Sequence, residues 1–298
     1  MDVHLIDGTY ELFRHYYALP SMQDEAGHEV AAVRGVLTSV LAMLKSGATH
    51  LGVATDHVVE SFRNDLYHGY KTGRGMPEDL LSQFPLLEEA LEKLGVVVWP
   101  MVELEADDAL GAAAKLAARD RRVETVYICS PDKDLAQCVK EARVVQLDRR
   151  TGQVRDARAV EARFGVTPSS IPDYLALVGD TADGYPGVRG WGAKSAAAVL
   201  HRFPHLEEIP KEAIRWKVPL RNAAQLGANL VEHWDEAMLF RDLATLRTDA
   251  KLFRTVEALR WTGPKRSFKA FSAQLGAPAL WERARAEVER RSAAGASS

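Results

Sequence analysis

An α/β domain built on a mainly parallel sheet, followed by a helical region, is the fold this sequence predicts, and three observations predict it. Short apolar runs rich in β-branched residues alternate with helix-period stretches through the first half of the 298-residue chain. The strand pattern fades beyond about residue 155, where alanine- and arginine-rich helical text takes over. A hydrophobic content of 47% lets the chain bury a sizeable core, in one large domain or two smaller ones.

In chain order, residues 3–6, 51–54, 96–99, 126–129 and 144–147 read as buried strands. Helix-period spacing predicts helices over 31–46, 77–94 and 105–119 between them. In the second of these, Pro77 opens the helix and Glu78 and Asp79 suit its positive N-terminal end, while Leu80, Leu81, Phe84, Leu87, Leu91 and Leu94 form a packing stripe. The resulting division is 1–155 for the α/β domain, 156–285 for the helical region and 286–298 for a disordered tail ending ERRSAAGASS.

Composition excludes several classes. Cys129 and Cys138 have no CxxC spacing, which argues against a zinc knuckle or a disulfide framework. MDVHLIDGTYELFRHYY has neither the basic stretch nor the apolar core of a signal peptide, and no apolar run approaches membrane-spanning length, so the expectation is a cytoplasmic protein. The net charge of -3 argues at first against a nucleic-acid partner. With nine clustered carboxylates set aside, however, the 38 basic residues outnumber the acids by six. The sign of the remaining surface is then positive.

Those carboxylates follow the strands. In open α/β sheets, sites gather beyond the C-terminal strand ends. Asp7, Asp56, the stretch Glu105-Ala106-Asp107-Asp108, and Asp132 with Asp134 each follow a predicted strand. One such aspartate alone reads as a helix cap or turn former. Repetition at four strand ends favours a shared site, and Asp180 and Asp183 repeat the three-residue offset of Glu105 and Asp108. So many anions repel unless cations neutralise them. All-oxygen ligation points to Mg²⁺ or Mn²⁺ rather than zinc, and the size of the set to two ions, the arrangement suited to phosphodiester hydrolysis. His201 and His205 offer no rival site, because Pro204 lies between them.

In PGVRGWGAKSA, Gly187, Gly190 and Gly192 allow tight turning and close backbone approach, and AKSAAAVL opens a helix whose N-terminus favours anions, with Lys194 adding charge. Such a loop grips a phosphate of a duplex without reading its sequence.

The motifs LIDGTYELFR (5–14), SFRNDLYHGYKTGR (61–74), LEADDAL (104–110), SPDKDLAQ (130–137) and GDTADGYPGVRGWGAKSA (179–196) resemble those of the bacterial and phage 5' nuclease family. That family comprises the flap endonucleases and the 5'-to-3' exonuclease domain of DNA polymerase I. The match runs in order over about residues 3–275. It implies a PIN-like core, a helical arch over about 62–92, and a helix-hairpin-helix-like duplex-binding element over about 172–203. It also implies a first metal cluster of Asp7, Asp56, Glu105, Asp107 and Asp108, and a second of Asp132, Asp134, Asp180 and Asp183.

Arg14, Lys71 and Arg74 match basic residues that contact phosphates near the cut, and Lys71 and Arg74 would offset charge developing there. The DNA contacts assigned in this way are Arg63, Tyr70, Gly187, Val188, Gly190, Gly192 and Lys194, with Tyr70 as a base-stacking ring. The implied cofactors are two Mg²⁺, or Mn²⁺, with K⁺ at the hairpin element. The implied partner is DNA with 5' flaps, nicks or free 5' ends, handled by a monomer alongside a polymerase or ligase. Two departures stand out: Gly184 replaces the family's usual asparagine, and no polymerase region follows, so a free-standing nuclease is expected. Two other readings stand beside this one, a PIN-like metal-dependent ribonuclease and a non-catalytic binder of branched DNA.

Overall fold

The computed structural model describes residues 1–296. It divides into two compact units, the first comprising Met1–Val59, Gly73–Cys129 and the residues from Asp249 onward, the second Glu60–Thr72 and Ser130–Thr248. This division in space differs from the linear boundary expected near 155, because compactness follows which segments pack together rather than where a strand pattern stops.

Up to the end of the parallel strands, the elements are β1 (Val3–Asp7), α1 (Gly8–Ala18), α2 (Ala31–Lys45), β2 (His50–Asp56), α3 (Phe62–Leu66), α4 (Glu78–Leu81), α5 (Gln83–Leu94), β3 (Val97–Met101), α6 (Ala106–Ala117) and β4 (Val126–Cys129). After them come β5 (Val144–Asp148), β6 (Gln153–Arg155), α7 (Ala157–Phe164), α8 (Ile171–Val178), α9 (Ala193–Leu200), α10 (Ala223–Glu232), α11 (Trp234–Ala244), α12 (Phe268–Gln274) and α13 (Ala279–Ala296).

In the first unit β1 to β4 run parallel in the order β3-β2-β1-β4, with Val3 opposite both His50 and Val126, and Gly52 opposite Val97. Parallel strands need helical crossovers that cover both faces, which is why these strands read as nearly unbroken apolar runs. Leu5, Ile6, Leu51, Val53, Val126 and Ile128 are accordingly buried. Because β1, β2 and β3 end side by side, Asp7 lies opposite Ala54 and Asp56 opposite Met101 at one edge of the sheet.

The helix predicted over 77–94 breaks at Ser82 into α4 and α5. Pro85 cannot donate to the carbonyl four residues back, so the turn through Ser82 cannot be continuous. The arch expected over about 62–92 is likewise not one helical element. Helices α3 and α4 are 5 and 4 residues long, with Gly69, Gly73, Gly75 and Pro77 in the irregular stretch between them. From Gln83 onward, α5 packs on α2, β3 and α12 and buries Phe84, Leu87, Leu91 and Leu94.

The tail expected to be disordered from 286 is helical as far as Ala296 in α13; residues 297 and 298 lie outside the described residues. What holds it is Glu287, buried and bonded by Arg290 and Arg291, while Arg291 also donates to the carbonyls of Leu44 and Ala48.

The second unit contains the β5–β6 hairpin, whose polar second strand no apolar run announced, and a helical core. That core joins Val160, Ile171, Leu175, Tyr185, Val199, Trp216, Leu226 and Phe240. Among the described residues, no helix is long and apolar enough to cross a membrane.

Candidate metal centre and nucleic-acid surface

In the first unit, backbone amides orient the strand-end acids. Asp7 caps α1, accepting the Tyr10 N–H at 2.8 Å. Asp56 accepts the Ala106 N–H at 2.7 Å, and its own N–H donates to the Thr9 hydroxyl at 2.8 Å. These two bonds tie together the ends of β2, α1 and the turn after β3. Glu105 and Asp108 form a reciprocal capping box at the start of α6, with the Glu105 N–H 2.9 Å from Asp108 Oδ2. Asp107 sits in the same first turn, half-buried. The capping role that a single aspartate suggests is thus filled, and it holds these carboxylates on one sheet edge.

The second unit gathers three acids. Asp134, Asp180 and Asp183 bring carboxylate oxygens within 4.8 Å of one another. The physical means are local. Asp132 Oδ1 accepts the Asp134 N–H at 2.9 Å, so the exposed Asp132 shapes the turn that presents Asp134. In the 180–185 turn, paired bonds close Asp180 on Tyr185, N–H to O at 2.8 and 3.0 Å.

Gly184 is required in that turn. Its φ is +89°, and a Cβ would lie 2.2 Å from the Gly69 carbonyl oxygen. The side-chain-free approach brings the 69–71 segment against the turn: the Lys71 N–H donates to the Asp183 carbonyl at 2.9 Å, and Lys71 Nζ lies 3.0 Å from Asp183 Oδ1. Glycine in place of asparagine therefore permits this close approach.

Burial and neighbouring acids set the electrostatics. Asp134 is fully desolvated, and burial with Asp132, Asp183 and Asp180 around it pushes its carboxyl well above the usual range. Burial also raises Asp183, against the pull of Lys71. Lys133 Nζ pairs with Asp180 Oδ2 at 2.8 Å. Two of the three acids thus have an ammonium partner, while Asp134 Oδ1 is buried without a hydrogen-bond partner. An all-oxygen set with one charge uncompensated fits a hard divalent cation.

Sequence reasoning missed Lys133 and Gln146. A lysine between two aspartates carries no distinctive signal. Gln146 is a buried amide at the centre of β5, between Val145 and Leu147, and its Nε2 donates to the Ser130 and Asp132 carbonyls. A polar residue within a buried strand was the available clue.

Three predicted DNA contacts are corrected. Arg63 is 1% exposed, and its guanidinium donates to the carbonyls of Leu243 at 2.8 Å and Thr245 at 3.3 Å. It is a structural tie, because a buried guanidinium satisfies its donors on nearby carbonyls rather than leaving them for solvent. Tyr70 is buried in the helical core and has no face for a base. Val188 is buried too, with its N–H spent on the Leu177 carbonyl. Gly187 serves close packing, since a Cβ there would meet the Gly179 nitrogen at 2.4 Å.

Gly190, Gly192 and Lys194 are exposed around the start of α9, where first-turn amides lack intrahelical acceptors. In the first unit Arg74 is exposed, and Arg14 is half-buried and ion-paired with the buried Glu11.

Residues 2–165 match the family model described as 5'-3' exonuclease, N-terminal resolvase-like domain, and residues 166–267 the one described as 5'-3' exonuclease, C-terminal SAM fold. The chain is 34% identical over 272 residues to DNA polymerase I of Pseudomonas aeruginosa, an alignment covering 88% of this chain and 29% of that protein. It is 30% identical over 251 residues to the 5'-3' exonuclease of Buchnera aphidicola subsp. Acyrthosiphon pisum, covering 83% and 87%. The chain spans less than a third of the length of the DNA polymerase I relatives from Pseudomonas aeruginosa and Bacillus subtilis. Its fold resembles that of the bacteriophage T5 D15 flap endonuclease in a pseudo-enzyme-product complex with DNA and metal ions, with a TM-score of 0.66 at 20% identity over 97% of this chain and 98% of that one. The catalytic core of Rad2 in complex with DNA substrate has a TM-score of 0.63 at 15% identity, covering 95% and 91%.

Proposed function

This chain belongs to the 5'-3' exonuclease family, and from that premise we propose that it is a structure-specific 5' nuclease, hydrolysing DNA phosphodiesters at 5' flaps, nicks and free 5' ends with two divalent cations. The observation that carries this reading is the trio Asp134, Asp180 and Asp183 with Lys71 held on its rim. The trio and Asp132 would hold one cation, and Asp7, Asp56, Glu105, Asp107 and Asp108 the other, Mg²⁺ or Mn²⁺. Bound there, such ions activate water and neutralise charge developing on the scissile phosphate.

The chain's own groups do the rest. Lys71, its ammonium 3.0 Å from Asp183 Oδ1, would offset charge developing on a non-bridging phosphate oxygen. The exposed Arg74 would meet a flanking phosphate, as would Arg14, which is ion-paired with Glu11. Gly190, Gly192 and Lys194 at the start of α9 would grip the duplex backbone, with K⁺ at this hairpin, and so set the distance from grip to cut. The protein would act as a monomer in the cytoplasm, alongside a polymerase or ligase.

The test is a cleavage assay on 5'-flap, nicked, blunt and single-stranded DNA and matched RNA, with Mg²⁺, Mn²⁺ or chelator. Flap and nick cleavage that chelator abolishes is expected, and Asp107→Ala and Asp134→Ala are each expected to lose cleavage while retaining flap binding. Cleavage by either variant at the wild-type rate would overturn the two-cation assignment, and equal cleavage of single-stranded RNA would overturn the substrate assignment.

A further inference from the structure

The first unit holds a cavity of about 460 Å³ that the proposed chemistry leaves unused, lined by Thr49, Arg260, Thr262, Arg290, Arg291 and Ser292 among others. Thr49 directly precedes β2, and Asp56 closes the other end of that strand. Seven strand residues at about 3.3 Å each put those two ends about 20 Å apart. Local bonds fix the cavity wall. The Trp261 N–H donates to the Thr49 carbonyl at 2.9 Å, and Trp261 Nε1 donates to the Leu94 carbonyl at 2.8 Å. The Arg291 guanidinium lies over the Trp261 ring, 5.1 Å from its centroid, so the buried indole keeps no open face for a base.

Three guanidiniums around one cavity repel unless anions offset them. Among the described residues, no carboxylate lines it. Glu287 accepts from Arg290 Nη2 and from Arg291 Nε, each at 2.6 Å. Glu257 accepts from Arg260 Nη1 at 2.9 Å and also lies 3.9 Å from His50 Nε2. Two carboxylates thus serve three guanidiniums, and one positive charge is left over. Donors are left over too. Arg291 spends Nη2 on the Leu44 and Ala48 carbonyls, but its Nη1, Arg290 Nη1, Arg260 Nη2 and the Thr262 hydroxyl have no protein partner among the described residues. Arg260 and Arg290 are more than half exposed, so a ligand can reach them.

We propose that this cavity binds a phosphate group, as free phosphate or as the monoester of a nucleotide, through Arg260, Arg290 and the Thr262 hydroxyl. Planar guanidiniums with spare N–H groups suit phosphate oxygens, which they bind two at a time. The cavity has the size of small-ligand sites, roughly 300–1,000 Å³. Because the Trp261 ring is covered, the phosphate is recognised and the base is not. The site lies at the end of β2 away from Asp56 and requires no divalent cation.

The experiment is calorimetric titration of the full-length protein in chelator at constant ionic strength, with inorganic phosphate and, separately, with thymidine 5'-monophosphate. Wild type is compared with Arg260→Gln, Arg290→Gln and Thr262→Val. Saturable binding is expected, at least about tenfold weaker in either arginine variant and a few-fold weaker in Thr262→Val. Equal affinity for the two ligands would support a free-phosphate site, and tighter binding of the monophosphate a nucleotide site. Thr262→Val breaks no ion pair and carries the test if an arginine variant melts well below wild type. Binding of neither ligand, wild-type affinity in the variants, or equal heats from acetate would each overturn the proposal. Loss of 5'-flap affinity in step with phosphate affinity would make these arginines contacts to the DNA backbone and overturn it too.

Discussion

Replacing Asp134 by Asn removes one of three carboxylates whose oxygens lie within 4.8 Å of each other, and the structure sets the size of the effect. At an effective dielectric of about 20, a pair at that distance repels by about 3.5 kcal/mol, and Asp134 takes part in two such pairs. Lys133 at 2.8 Å from Asp180 and Lys71 at 3.0 Å from Asp183 offset most of this. A net relief of roughly 1–3 kcal/mol remains, worth about 2–10 °C in melting temperature for a protein of this size.

In chelator at neutral pH, Asp134→Asn should therefore melt above wild type. With saturating Mn²⁺ the order should invert, since wild type gains about 2.7 kcal/mol at a hundredfold excess over Kd and the variant forfeits the increment from this site. Acidity adds a second arm. The Asp134 and Asp183 carboxyls are raised above their ordinary value, so the folded state holds their protons more tightly than the unfolded chain does. That stabilisation is fully present below the unfolded carboxylate pKa of about 3.9 and is lost as pH rises through the raised folded values. Metal-free wild type should thus melt lower at neutral than at weakly acid pH, and Asp134→Asn should flatten the profile. Scanning calorimetry with chelator and with Mn²⁺ measures all three. A variant that melts below wild type in chelator, or gains as much from Mn²⁺, would refute the reasoning.

Further outcomes follow from individual contacts. Lys71→Ala should lower single-turnover cleavage of a 5'-flap by about 10²- to 10³-fold while flap affinity changes only a few-fold; near-normal cleavage would remove Lys71 from the chemistry. Arg63→Ala should cost about 2–4 kcal/mol in denaturant unfolding, because the carbonyls of Leu243 and Thr245 lose their buried donor. A stable Arg63→Ala protein with weakened duplex binding would restore the DNA-contact reading. Gly184→Ala should lower melting temperature and cleavage together, since its Cβ collides with the Gly69 carbonyl and displaces Lys71. Wild-type values of both would show that the turn tolerates a side chain.

Much of the scaffold was legible because its signals are local. Apolar runs mark β1 to β4, since a parallel strand covered by crossover helices is largely apolar, and every acid of the first set falls at or just after a strand end. The β6 strand was not legible, because a three-residue polar strand exists only through its pairing with β5. The convergence of Asp134, Asp180 and Asp183 was implied by the family resemblance, whereas spacing alone paired only Asp180 with Asp183. The lysine that neutralises Asp180 was not legible, because Lys133 and Asp180 are far apart in the chain and meet only in space.

The amino-acid order by itself determined the α/β alternation, the placement of anions at strand ends and the glycine-rich turn ahead of α9, all of which depend on neighbours within a few residues. Tertiary structure alone decided that Arg63 and Tyr70 face inward and that Asp134 is the acid of the trio without an ion-pair partner. Burial is a property of the space around a side chain, and for Arg63 that space is furnished by a carbonyl 180 residues away.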